Sequence, residues 1–362
     1  MVFCEKCFCD TEIVSVIRSK SQIGNCPKCG NKNVHLYDTD QYDDLGILFD
    51  EFLGIYTPVS MLPDDYPKAE TGLLKSELLH NWNIFNGLSE KDVYEILVAI
   101  CKEKYEGNAE LFDQPVGIQE LYNKKYLANH SLLATNSWND FVEALKTSNR
   151  YHTHFLDLNL LETFCSYIRK AYKAGAIFYR CRLSTEKGFN IAEMGAPPTE
   201  RATDGRANAA GVRCLYLGDS EDTTIYETRA GAYDYVTVGK FELKSDITVV
   251  DLKRINRISP FTEGLDCLEY AINKEHLNKI NDEMGRIMRR SDSVLDYVPT
   301  QYIADFVKSI VHNGENEYAG IEYNSVMHES GYNLAVFEPD LFECIETTVY
   351  RIDTIDYKKH KV

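Results

Sequence analysis

Residues 176–217 read AIFYRCRLSTEKGFNIAEMGAPPTERATDGRANAAGVRCLYL, and the change of texture at their start decides the fold class. Before Gly175, apolar residues repeat at three and four. After it come short β-prone runs, at 177–183, 212–217, 235–243, 247–252, 321–326, 334–338 and 347–357. These alternate or stay apolar over lengths typical of half-buried or buried strands. Between them, 268–290 and 300–312 carry helical periodicity. Residues 176–362 therefore predict a mixed α and β domain.

The preceding block, 38–175, predicts a helical bundle. Val93, Ile96, Leu97 and Ile100 recur at three and four after Ser89, with Asp92 placed for a capping box. Leu74, Leu78 and Trp82 recur at four. Further helices are expected at 41–53, 116–128, 137–147 and 155–174, with Pro58, Pro63, Pro67 and Pro115 as breakers. The first 37 residues differ again. Cys4-x2-Cys7 and Cys26-x2-Cys29 have the spacing of two knuckles that each give a pair of thiolates to one zinc ion, and Pro27 and Gly30 bracket the second. Four soft thiolates leave no open position, so a structural Zn²⁺ is expected. Cys9 is a poorer competing ligand. The expected fold class is thus α+β in three parts: a zinc ribbon over 1–37, a helical domain over 38–175 and a mixed domain over 176–362.

Composition fits a folded chain: 44% of the 362 residues are hydrophobic and 26% charged, a length for two or three domains. A net charge of −17 argues against general nucleic-acid binding. The excess acid avoids the ribbon, where five bases face three acids. No apolar run has the length of a membrane span, and no basic-then-apolar leader opens the chain. A cytoplasmic protein without membrane attachment is expected. Five of the eleven cysteines crowd the first 29 positions, which suits a metal site plus reduced thiols rather than a disulfide framework.

The mixed block concentrates groups with chemistry to offer. Arg180 and Arg182 lie on an expected strand, a loop runs through Gly205-Arg206-Ala207-Asn208-Ala209-Ala210-Gly211, and Tyr216 and Glu227 follow. An arginine can grip a pyrophosphate in bidentate fashion, and a glycine-flanked loop lets backbone approach a ligand. A tyrosine ring can stack on a heterocycle. A carboxylate can hold a ribose hydroxyl and stabilise an oxocarbenium ion. Each also has a plainer reading: surface arginines, a core tyrosine and a glutamate in the first turn of a helix.

The order of these pieces resembles the RES family. Tyr179-Arg180, the Gly205 to Gly211 loop, Tyr216-Leu217, Glu227, Val250-Asp251-Leu252, Tyr323-Asn324-Ser325 and Asn333-Leu334-Ala335-Val336-Phe337 follow one another as in that family. The resemblance implies an ADP-ribosyltransferase-like mixed α/β fold. It also implies an NAD⁺-degrading toxin-like activity, cleaving the nicotinamide N-glycosidic bond by hydrolysis or phosphorolysis. Arg180, Tyr216 and Glu227 would be catalytic, and Arg206, Asn208, Ser325 and Asn333 would hold the dinucleotide. An antitoxin or immunity protein is the implied partner, since such an enzyme needs restraint inside a cell, and self-association is a separate expectation. The alternatives are ADP-ribosyl transfer to a macromolecule, or a zinc-ribbon protein that binds RNA.

The ribbon and helical block resemble the HEPN-class region found before some RES domains. The Arg-x4–6-His pair of HEPN ribonucleases has no counterpart here. Arg150, His152 and His154 come nearest, at the wrong spacing.

Overall fold

The computed structural model of the chain describes residues 1–288 and 293–355. It divides into two compact units, residues 1–131 with 258–273, and residues 132–257 with 274–362.

In the first unit, β1 (Val2–Cys4), β2 (Ile23–Gly24) and β3 (Val34–Asp38) form an antiparallel sheet in the order β1-β3-β2. Between the cysteine pairs, Asp10 caps the helix Thr11–Ser19 by accepting from the Glu12 and Ile13 N–H groups. This helix, not anticipated from the sequence, buries Ile13 and Ile17. Those side chains share one core with Phe3, with Leu45, Phe49 and Phe52 of the helix Asp44–Leu53, and with Val93, Ile96 and Leu97 of the helix Glu90–Ile100. A ribbon of 37 residues has too little apolar surface to close a core alone, so it folds onto these helices. The Ser89 capping box with Asp92 forms as the spacing predicts.

The expected bundle needs correction. β4 (Thr57–Pro58), β5 (Gly72–Leu73) and β6 (Pro115–Gly117) make a small sheet in the order β4-β6-β5. The helix expected at 116–128 is instead β6, a 3₁₀ turn at Gln119–Tyr122 and a helix only at Lys124–His130. Pro115 and Gly117 at its start explain the difference, since neither favours a helix interior.

The second unit is built on an eight-stranded sheet of β7 (Arg169–Tyr172), β8 (Ile177–Ser184), β9 (Leu215–Gly218), β10 (Tyr235–Leu243), β11 (Ile247–Asp251), β14 (Gly320–Asn324), β15 (Tyr332–Val336) and β16 (Phe342–Arg351). Their spatial order is β16-β10-β8-β9-β15-β14-β11-β7, antiparallel throughout except for β11 beside β14. β12 (Val311–His312) and β13 (Glu315–Asn316) form a separate hairpin. Phe178, Leu215, Leu217, Phe241, Leu334 and Val336 build a core on the sheet.

Several boundaries move. The helix expected over 155–174 ends at Tyr167, and Arg169–Tyr172 pairs with β11 as an edge strand. What holds that strand is polar and far away in sequence. Lys170 and Tyr172 both bond the fully buried Glu322 on β14, which Lys253 also pairs. Burial pushes the Lys253 ammonium down to about 8. The helices Trp138–Thr147 and Leu158–Tyr167, placed by the sequence with the helical block, fall within the second unit. Phe141 of the former packs edge-on against Tyr302 of the helix Val298–Ser309, their centroids 5.6 Å apart.

The helix expected over 268–290 spans Cys267–Met284, and its last expected residues, 289 and 290, lie outside the described residues. The expected strand at 347–357 begins earlier, at Phe342, and ends at Arg351; residues 356 and 357 lie outside the described set. Positions 311 and 312, expected in a helix, form β12. Among the described residues no helix is long and apolar enough to cross a membrane.

Candidate active site and metal centre

β8 and β9 touch through a single register pair, Tyr179 with Gly218. Beyond that pair they part. A cavity of about 170 Å³ opens there, lined by Arg180, Cys181, Tyr216, Leu217, Thr224, Glu227, Thr228 and Asn333. Arg180, Tyr216 and Glu227, 47 positions apart from first to last in sequence numbering, thus meet around one space.

Glu227 rides on the helix Glu221–Thr228, whose N-cap Ser220 accepts from the Thr223 N–H. The glutamate lies in the last turn, not the first, so the helix dipole does not account for it. Two donors hold its Oε1: the Ser325 hydroxyl at 2.6 Å and the Asn333 amide at 2.9 Å. The Ser325 Oγ in turn accepts from the N–H groups of Met327 and His328. With its lone pairs engaged, its proton can only point at the carboxylate.

Arg180 has the opposite character. Its Nε and Nη1 are buried and have no hydrogen-bond partner. Burial, with Arg182 nearby, pushes its pKa down to about 10, still charged at neutral pH. A buried guanidinium without an anion is destabilising unless something else supplies the charge. An anionic ligand at this cavity would do so.

Tyr216 lines the cavity but its hydroxyl is engaged elsewhere. It donates to Asn208 Oδ1 at 2.7 Å and accepts from the Ala207 N–H at 2.9 Å. Asn208 is buried and its Nδ2 donates to the carbonyls of Thr203, Ala209 and Val212. A Cβ on Gly205 would lie 2.5 Å from the Tyr216 hydroxyl, so only glycine fits this turn. Gln301 closes the arrangement by donating to Asp204 Oδ1 and to the carbonyls of Gly205 and Asn208.

Arg206 donates to the carbonyls of Glu283 and Arg286 and lies over the Tyr323 ring. Neither Arg206 nor Asn208 lines the cavity: in this arrangement both latch a loop rather than face the space that Arg180 and Glu227 share. A second hollow of about 180 Å³, lined by Asn281, Asp282, Met284, Gly285, Tyr323 and Asn324, lies beside the residues flanking Ser325.

Sequence reasoning missed Gln301, a lone amide on an amphipathic helix with no motif around it. It also missed Thr224 and Thr228, which share the helix with Glu227 at spacings of three and one. Cys181 lines the cavity too, with its thiol pushed up to about 11 by burial, which keeps it protonated and unreactive.

In the first unit, Cys4, Cys7, Cys26 and Cys29 bring their sulfurs within 4.8 Å of one another. The Cys4 to Cys7, Cys4 to Cys29 and Cys7 to Cys26 separations are 3.8, 3.4 and 3.7 Å. A tetrahedral site with metal–sulfur bonds of about 2.3 Å would place its sulfurs roughly 3.8 Å apart, so the cluster could hold a metal ion. All eleven cysteines are free thiols. Burial pushes the Cys4 thiol up to about 12 and raises Cys7 as well, and a cation would offset that cost of ionising them. Cys9 stays outside the cluster and contacts the Phe85 carbonyl.

The chain belongs to the RES domain family, whose pattern matches residues 167–358, more than half of its length. The match begins ahead of residue 176 and takes in β7. No curated protein and no solved structure matches the chain.

Proposed function

We propose that the protein cleaves the bond between nicotinamide and ribose in NAD⁺, with the cavity between β8 and β9 as its active site. RES domains are associated with NAD⁺-utilising enzymes, and the chain's membership of the family supports the substrate. The single observation that carries the reading is that Arg180, whose buried Nε and Nη1 have no hydrogen-bond partner, and an oriented Glu227 line one cavity. The guanidinium offers the dinucleotide pyrophosphate the bidentate partner it lacks in the protein. The face of Tyr216 offers a wall for the nicotinamide ring or its ribose.

As the glycosidic bond breaks, its electron pair leaves with the pyridine nitrogen, which becomes neutral. Positive charge builds on the ribose, and Glu227 faces that charge. Water or phosphate then adds at the anomeric carbon. Arg206, Asn208, Ser325 and Asn333 act on this reading through geometry: the first two hold the loop beside Tyr216, the last two aim the carboxylate.

The cysteine cluster holds a structural Zn²⁺ in this proposal. The helical residues ahead of the RES match lack the Arg-x4–6-His pair of HEPN ribonucleases and on this reading regulate the enzyme rather than cleave RNA, and an antitoxin or immunity protein would restrain it in the cytoplasm.

Following nicotinamide release from NAD⁺, with and without phosphate, tests the reading. Wild-type protein is expected to release nicotinamide, with ADP-ribose or its 1-phosphate as the co-product. Equal release by wild type and Glu227→Gln would refute it. Label transferred from NAD⁺ to a macromolecule would replace hydrolysis with ADP-ribosyl transfer.

A further inference from the structure

We propose that His328 is a positioning residue that clamps the helix carrying Glu227, a role that rests on the active-site reading above. The loop 325–331 joins β14 to β15 and is closed on itself, Ser325 N–H donating to the Gly331 carbonyl and Gly331 N–H to the His328 carbonyl. It grips the helix Glu221–Thr228 through two of its own side chains. Ser325 holds Glu227, and His328 Nδ1 lies 2.9 Å from the Thr223 hydroxyl. Thr223 and Glu227 are four residues apart, so they sit one turn apart on the same helical face. One loop therefore fixes both the height and the rotation of that turn.

The hydrogen bonds also fix the imidazole's tautomer. Thr223 has one proton, and it goes to Asp219 Oδ1 at 2.7 Å, because an ionised carboxylate only accepts. With that proton committed, the Thr223 oxygen has its two lone pairs left for the Ser220 hydroxyl at 2.9 Å and for His328, and it must accept from both, so Nδ1 carries the proton. Asp219 Oδ1 also accepts from the Tyr332 N–H, tying the same chain of bonds to β15 beside Asn333. Thr223 is fully buried, so the relay is shielded from water. The ring of His328 stacks on Tyr226, the centroids 5.2 Å apart and the planes 9° from parallel. Packing leaves no slack: a Cβ on Gly331 would lie 2.2 Å from Thr223 Oγ1 and 2.7 Å from His328 Nδ1. In sequence the histidine carries no motif, and its partner is 105 positions away.

The test compares three replacements in the full chain. An asparagine amide can place a donor where Nδ1 stands; a glutamine amide reaches instead to the place of Nε2. The clamp predicts that His328→Ala lowers kcat for nicotinamide release roughly ten- to hundred-fold with KM little changed, as a small misplacement of a reacting group does. His328→Asn should restore most of that rate and His328→Gln should not. An alanine variant with wild-type kcat would overturn the clamp. So would recovery by glutamine but not asparagine, which would make Nε2 the working atom. Amide hydrogen exchange over 219–228 reads the clamp without activity: exchange should be faster in His328→Ala and near wild type in His328→Asn. Should wild type release no nicotinamide, the active-site reading falls. The exchange data then still decide whether the clamp exists, unchanged exchange in the alanine variant refuting it.

Discussion

The cysteine cluster and the cavity around Glu227 are assembled on different scales. Four sulfurs converge because two short turns each deliver a pair three residues apart, and the ribbon brings the turns together. The cavity draws its lining from four elements, β8, β9, the helix Glu221–Thr228 and β15, and its walls exist only where β8 and β9 part. A local site stands or falls with its own turns; a distributed one depends on the register of a whole sheet. The two should therefore respond differently to perturbation.

The largest expected effect is at the local site. Structural zinc sites of this kind contribute roughly 10–16 kcal/mol in isolated zinc-finger peptides. The protein should carry about one bound zinc per chain. Stripping it with a strong chelator, or making Cys26→Ser, should expose Phe3, Ile13 and Ile17 and render the first unit protease-sensitive. Limited proteolysis unchanged by metal removal would put the two sites on the same footing.

At the distributed site, Glu227→Gln keeps an acceptor for Ser325 and Asn333 but loses the charge. Nicotinamide release should fall on the order of 10³-fold, the scale for removing a transition-state electrostatic partner. The melting temperature should barely move. A large loss of stability would instead mark Glu227 as a structural residue.

Next in size are the latch residues. Asn208→Ala takes the acceptor from the Tyr216 hydroxyl and the side-chain donor from the Thr203 and Val212 carbonyls, and about 2–3 kcal/mol of stability should go. Tyr216→Phe should cost about 1–2 kcal/mol. Chemical denaturation measures both, and kcat separates the hydroxyl's role from the ring's. Since the hydroxyl is engaged by the loop, Tyr216→Phe should lose stability more than rate.

The smallest effect has the opposite sign. Arg180→Met removes a half-buried cation whose Nε and Nη1 have no partner, so the ligand-free protein should become slightly more stable, by about 1 kcal/mol or 2–4 °C in Tm. The same variant should no longer be stabilised by NAD⁺. A lower Tm would mean that Arg180 is already satisfied within the protein.

The same difference of scale explains what could be read from the chain. The cysteine cluster was legible because a four-thiolate metal site demands a fixed local spacing, and the β10 run at 235–243 because it is β-prone over nine residues, even though its alternation changes phase at the bulge beside Lys240. The candidate site was legible mainly as an order of pieces shared with a family, since nothing local says that Ser325 will meet Glu227. β7 was hidden for a related reason. Arg169–Tyr172 has no apolar alternation, and its place at the sheet edge is secured by the buried Glu322 some 150 residues on. Arg206 shows the limit of reading a residue by type: a guanidinium beside a glycine-rich turn suggests phosphate, yet here it satisfies the carbonyls of Glu283 and Arg286.

The most direct measurement is a crystal structure with a non-cleavable NAD⁺ analogue. The pyrophosphate should lie within hydrogen-bond reach of Arg180 Nε and Nη1, with the nicotinamide-bearing carbon beside Glu227 and the ring against Tyr216. An analogue seated elsewhere, with the Arg180 guanidinium still unpartnered, would contradict the account.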